Sequence, residues 1–141
     1  MLTHYCRTGV TFFYSYRWLL FTELLRIGNK ALGVESGRIK NKQLSASSSW
    51  DKYHGPSRGR LNLRRRGRCM GGWSARHNNY NQWIAVNAGR VLQITMLATQ
   101  GRQIANQWVT KYMLSYSQDQ THYWFYPDRR TSNVKVREYP R

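Results

Sequence analysis

Six arginines crowd into the eleven residues 58–68: Arg58, Arg60, Arg64, Arg65, Arg66 and Arg68. A guanidinium presents a planar fork of donors that fits phosphate or sulfate oxygens two at a time. Beside an acidic membrane each basic residue contributes about 1 kcal/mol, so several together give a salt-sensitive attraction. The plainer reading is a solvated charged loop, the commoner fate of a charge run; the density here favours binding. The whole chain leans the same way, with 23 Lys and Arg against 6 acids and a net charge of +17 in 141 residues. Such a balance selects anionic partners, whether nucleic acid, sulfated glycan or acidic lipid. The alternative is a surface that only solubilises.

Groups suited to catalysis are not concentrated anywhere. Glu23, Glu35, Asp51, Asp119, Asp128 and Glu138 are scattered, and no Gly-x-Ser-x-Gly, phosphate loop or His-Glu-x-x-His occurs. A calcium cage needs several carboxylates, and none cluster. No enzyme activity, metal or cofactor is therefore expected. Cys6 and Cys69 form no Cys-x-x-Cys pair and have no ligand spacing with the four histidines. They could pair with each other, but nothing in the sequence supports it, and the redox compartment stays open. His77 stands alone and reads as an exposed loop residue.

The elements that must position these groups centre on residues 81–119. Leu92, Ile94, Met96 and Ala98 alternate with Val91, Gln93, Thr95, Leu97 and Thr99, which predicts a strand with one wholly apolar face. Trp108, Tyr112, Leu114 and Tyr116 repeat the pattern, with Val109, Lys111, Met113 and Ser115 opposite. A shorter run, residues 83–86, ends at Asn87-Ala88-Gly89, a turn signal. Half-buried antiparallel sheet follows, and the rest of the chain must supply a partner sheet.

These residues also carry a resemblance. Asn-Gln-Trp-Ile-x-Val-x-x-Gly at 81–89, Ala-Thr-Gln-Gly-Arg at 98–102 and Gln-Trp-Val-Thr-x-Tyr-x-Leu-Ser-Tyr-Ser at 107–117 resemble the discoidin family, also called the coagulation factor V/VIII type C domain. Residues 31–39, Ala-Leu-Gly-Val-Glu-Ser-Gly-Arg-Ile, resemble its opening motif. Ser45-Ala46-Ser47-Ser48-Ser49-Trp50, Arg60-Leu61-Asn62, Trp73-Ser74-Ala75 and Asn78-Asn79 follow in the family's order. Any one piece is weak; together they cover about residues 31–135.

The resemblance implies an all-β fold, a discoidin-like jelly-roll β-sandwich or barrel with projecting loops at one end. The first loop, residues 49–56, carries Trp50 and Tyr53. Trp50 has two readings, ligand contact or inward packing that seats the loop; Tyr53 is expected to be exposed. The arginine run, with Arg64, Arg65, Arg66 and Arg68 as anion binders, falls in the second. The third, residues 99–107, carries Arg102 and Ile104. One buried Ile contributes only about 1.5–3 kcal/mol, so lipid insertion through this loop alone would be weak. Trp73 aligns with a common core Trp, Asn87 stands where relatives usually carry Asp, and Gln120 replaces a frequent turn Gly.

Residues 1–30 do not fit the family and are expected to be an atypical leader, with residues 31–141 a partial domain. Arg17, Glu23 and Arg26 interrupt the apolar run 10–27, so it matches neither a transmembrane helix nor a signal peptide. A short amphipathic helix is one reading of it. The disulfide that usually closes discoidin domains has no counterpart, and the strands that usually follow are missing, which points to an incomplete C-terminus. A sandwich without them would expose strand edges. The function the resemblance implies is a non-enzymatic extracellular or cell-surface recognition module. It would bind anionic phospholipid, glycan or a matrix or receptor protein, with peripheral membrane contact. Peptides with a C-terminal arginine are disfavoured, for want of an acidic pocket residue. The alternatives are a basic nucleic-acid-binding domain, or a truncated fragment without function.

Overall fold

The structure is a computed structural model that describes residues 5–6, 9–15, 22–27, 30–90, 92–102, 105–126 and 136–138. Its strands, in chain order, are β1 (Tyr5–Cys6), β2 (Gly9–Ser15), β3 (Thr22–Ile27), β4 (Lys30–Ala31), β5 (Leu44–Ala46), β6 (Gln82–Val86), β7 (Leu92–Gln93), β8 (Met96–Gln100), β9 (Lys111–Ser117), β10 (Trp124–Phe125) and β11 (Val136–Glu138). Helix among the described residues is limited to 3-10 turns at Asn41–Gln43 and Pro56–Arg58. The all-β fold read from the sequence is the fold the chain has.

Pairing is antiparallel throughout the described ladders. The larger sheet runs β10-β9-β2-β6-β5, with β11 beside β10 on the same edge of β9; a second runs β4-β3-β8; β1 pairs β7. Ile84 of β6 and Tyr112 of β9 pack with buried Trp73, Ala75 and Val109, and Leu97 of β8 closes over them from the second sheet. A neighbouring cluster joins Leu32, Val34, Ile39, Leu44, Val86 and Leu92, and Ile94 and Leu97 touch both clusters. The core thus lies between the sheets. Trp73 is fully buried, and its indole Nε1 donates to the Ser48 carbonyl at 2.8 Å.

The helix considered for residues 10–27 is not what forms. Over its described part the backbone is strand: β2 lies between β6 and β9, with Phe12 opposite both Ile84 and Leu114, and β3 pairs β8. Residues 9–15, Gly-Val-Thr-Phe-Phe-Tyr-Ser, are rich in the β-branched and aromatic types that favour strand, and here the sheet satisfies the backbone on both edges.

Two predicted alternations slip phase. The run from Leu92 to Ala98 is broken after Gln93, and β8 restarts at Met96. Leu97 therefore packs inward with Ile94, while Met96 is 47% exposed. Before β9 the roles of the predicted faces exchange: Val109 is buried and Trp108 is exposed, although Tyr112, Leu114 and Tyr116 face the core as expected. A break in regular backbone resets which side the next residue faces.

The turns explain two unusual residues. Asn87 Oδ1 accepts from Gly89 N at 2.7 Å, its Nδ2 donates to Gln120 Oε1 at 2.9 Å, and its carbonyl accepts from Gln43 Nε2 at 2.8 Å. The neutral amide thus fixes the turn with both of its ends. Gln120 adopts φ 67, the left-handed conformation a glycine would take freely. Asp119 compensates by accepting from Thr121 N at 2.9 Å and His122 N at 2.8 Å.

Candidate functional site

Three connections converge at one end of the core, and each is held by its own bonds. The first, residues 47–56, is seated on the sheet's rim. Ser47 and Ser48 hydroxyls donate to Gln82 Oε1, and Trp50 N donates to the Ser74 carbonyl at 2.8 Å. Asp51 Oδ1 accepts from Tyr53 N and meets His54 Nδ1, both at 2.7 Å. The His54 bond, more than any other contact, holds the Asp51 carboxyl below its ordinary value of 3.8. His54 is buried, and its carbonyl accepts from Ser74 N. A carboxylate-closed turn therefore turns Trp50 outward, 52% exposed. Tyr53, expected to be exposed, is half-buried, with Lys52 Nζ 5.3 Å from its ring centroid. Its carbonyl accepts from Met70 N, which draws it against the second connection.

The second connection, residues 58–72, sorts its arginines into two kinds. Arg58 Nε donates to the Met70 carbonyl at 2.5 Å, and its Nη2 to the Arg64 carbonyl at 3.4 Å. Arg60 is buried; its Nη1 donates to the Val34 carbonyl at 2.5 Å and its Nη2 to Asn41 Oδ1 at 2.8 Å. Burial first, and the Arg58 charge second, lower the Arg60 pKa. Carbonyl and amide oxygens satisfy its donors in place of a carboxylate.

Arg64, Arg65, Arg66 and Arg68 are exposed, and among the described residues none of them pairs with a carboxylate. Arg66 and Cys69 exchange backbone bonds of 3.0 and 3.1 Å, closing a tight turn over Gly67 (φ 59) and Arg68. Arg65 Nε ties back to the Gly67 carbonyl at 3.0 Å. Where the two arms of this connection close up at its base, a Cβ on Gly71 would strike the Leu63 carbonyl oxygen, so only glycine fits there. Four guanidinium groups are thus carried on a short, internally bonded projection.

The third connection spans residues 101–107. Arg102 N donates to the Gln107 carbonyl and Gln107 N to the Ala105 carbonyl, each at 2.8 Å. The Arg102 side chain is half-buried: Nη1 donates to Gln107 Oε1 at 2.8 Å and Nη2 to Met70 Sδ at 2.9 Å. Its Nε is buried with no partner among the described residues. Arg102 therefore braces the loop rather than standing free on it. Ile104 lies outside the described residues.

Met70 is where the connections meet. Its N–H reaches Tyr53, its carbonyl takes Arg58, and its sulfur takes Arg102. The structure thus brings Tyr53, Arg102 and the base of the arginine projection together. Nothing about a methionine in a glycine-rich stretch signals such a role; it emerges only from the meeting of segments remote in sequence. Among the described residues no group of three or more His, Cys, Asp and Glu could hold a metal ion, and no helix is long and apolar enough to cross a membrane. What the site offers chemically is cationic, donor-rich surface with one projecting indole.

The family model of the F5/8 type C domain matches residues 43–139. The chain belongs to this family. Coagulation factor V of Sus scrofa is 34% identical over 113 residues, which cover 76% of this chain and 5% of that protein. Retinoschisin of Takifugu rubripes is 31% identical over 113 residues, 77% of this chain and 39% of that protein. The venom prothrombin activator pseutarin-C non-catalytic subunit of Pseudonaja textilis is 35% identical over 113 residues, 74% of this chain and 7% of that protein. The chain thus spans under half the length of each of these relatives. No solved structure matches it.

Proposed function

We propose that this domain is a non-enzymatic extracellular recognition module that binds anionic groups, phosphate or sulfate, on phospholipid, glycan or a cell-surface or matrix protein. The observation that carries this reading is the projection of Arg64, Arg65, Arg66 and Arg68, exposed and without carboxylate partners among the described residues. A cation whose neighbours leave it uncompensated keeps its full attraction for an external anion. Trp50 is the exposed aromatic side chain of the first loop, and half-buried Tyr53 is tied through its carbonyl to Met70 at the base of the second. Arg102 and Ile104 complete the set proposed for the third loop, Arg102 chiefly by bracing. Membership of the F5/8 type C domain family supports the reading, as does a relative named as a non-catalytic subunit.

The test is retention on immobilised heparin together with sedimentation by phosphatidylserine and phosphatidylcholine vesicles, with a single-stranded oligonucleotide as competitor. Retention on heparin or phosphatidylserine that salt abolishes supports the reading. Tight oligonucleotide binding at physiological salt, with neither heparin nor vesicle retention, contradicts it.

A further inference from the structure

We propose that Met70 is an oxidation-responsive link, at which a peroxide loosens the bonds that hold the loops of this site together. The chemistry of its three contacts carries the inference. Met70 N donates to Tyr53 at 3.2 Å, its carbonyl accepts from Arg58, and its Sδ lies 2.9 Å from Arg102 Nη2. A thioether is a weak acceptor, so this last contact depends on close fit. At 2.9 Å there is no room for an atom between sulfur and nitrogen.

Oxidation adds an oxygen to this sulfur and replaces the apolar thioether that Arg102 now packs against with a bulkier, polar group. The sulfur lone pair attacks one oxygen of a peroxide, and the O–O bond breaks. An S=O bond forms as the attacked oxygen gives up its proton, and the departing oxygen takes up that proton to leave as water or alcohol. Sulfur loses two electrons and the peroxide gains two. The product is polar and chiral where the thioether was apolar and pliable.

Arg102 cannot absorb the change in place. Its Nη1 is tied to Gln107 on the same loop, and its Nε is already buried without a partner among the described residues. Either Arg102 withdraws, disturbing the third loop, or Met70 withdraws, disturbing its backbone bonds to the first and second. Met70 is only half-buried, so an oxidant can reach it. Sulfoxide reductases reverse the reaction, which makes the link switchable. The consequence for anion binding rests on the function proposed above; the loosening of the loops does not.

The test uses the full chain with Cys69→Ser, so that the neighbouring thiol does not react, and a companion that adds Met70→Leu. Both are treated with hydrogen peroxide, and conversion at Met70, Met96 and Met113 is read by peptide mass. In the parent, oxidation is expected to speed hydrogen exchange at the Met70 and Arg102 amides by about tenfold, the signature of local opening. The Ile84 amide in the core should keep its protection. Salt-dependent heparin retention should shift alongside, the companion should show neither change, and sulfoxide reductase should restore the parent.

Sulfoxide at Met70 with unchanged exchange at both amides overturns the proposal, as does an equal change in the companion. Resistance of Met70 while Met96 converts also overturns it. If unoxidised protein fails to bind heparin or phosphatidylserine vesicles, the anion-binding reading falls, and the exchange rates still decide the link.

Discussion

The two halves of the arginine segment have the same side chain and opposite roles. Arg58 and Arg60 point their donors at carbonyl and amide oxygens of the fold, from Met70, Arg64, Val34 and Asn41. Arg64, Arg65, Arg66 and Arg68 ride on a tight turn and face solvent. Residue type therefore does not assign the function of a basic run; the acceptors within reach do. Unmet backbone oxygens lie near the first half, and each guanidinium there is spent on structure. No carboxylate offsets the second half among the described residues, and its charge is left for a partner.

Substituting the two halves separately should split binding from stability. Replacing Arg64, Arg65, Arg66 and Arg68 together by Gln should cost about 3–4 kcal/mol of affinity for phosphatidylserine vesicles at low salt, from about 1 kcal/mol per basic residue. Unfolding in urea should move by no more than about 0.5 kcal/mol, as usual for surface changes. Arg60→Met should do the reverse. Leaving the Val34 carbonyl and Asn41 side chain without their charged donor should cost about 2 kcal/mol of stability in the same titration. Vesicle affinity of the folded fraction should change little. Equal losses of affinity from both substitutions would erase the distinction.

The neighbouring loop is tied by a carboxylate instead, which gives it a pH dependence the arginine segment lacks. The folded pKa of Asp51 is lowered, mainly by the His54 bond, from an ordinary 3.8. A depressed carboxyl stabilises the fold above its unfolded value, and that contribution is lost as pH falls through the folded value. Thermal melts below about pH 4 should therefore decline less steeply for Asp51→Asn than for the parent, a small effect for so exposed a group. A similar Asp–His pair at the distal turn, Asp119 with His122, makes the comparison internal: its carboxyl is also held well below 3.8, first by the His122 backbone N–H.

Much of this was legible in the residues. The alternation of Tyr112, Leu114 and Tyr116 and the Asn87-Ala88-Gly89 turn are local patterns, and they gave the sheet. Ordered motifs from Ala31 onward gave the family, because their sequence of types reflects one topology. What stayed hidden depends on contacts between distant segments. Nothing local distinguishes Arg60 from Arg64; the difference is that Val34 and Asn41 come to rest beside one of them. Met70 gave no signal for the same reason. Strict alternation puts Met96 and Val109 on the wrong sides because a break in regular strand resets the period, and no residue there marks the break.

The most direct measurement is a hydrogen-exchange footprint of the full chain with and without a heparin oligosaccharide. Protection should concentrate at residues 64–69, with weaker effects near Trp50 and Arg102, and should fade as salt rises. The contrary result would be protection centred on the exposed aromatic edge at Tyr123, Trp124 and Phe125, with residues 64–69 unchanged. That outcome would mean the uncompensated arginines only keep the domain in solution, and that its partner binds elsewhere.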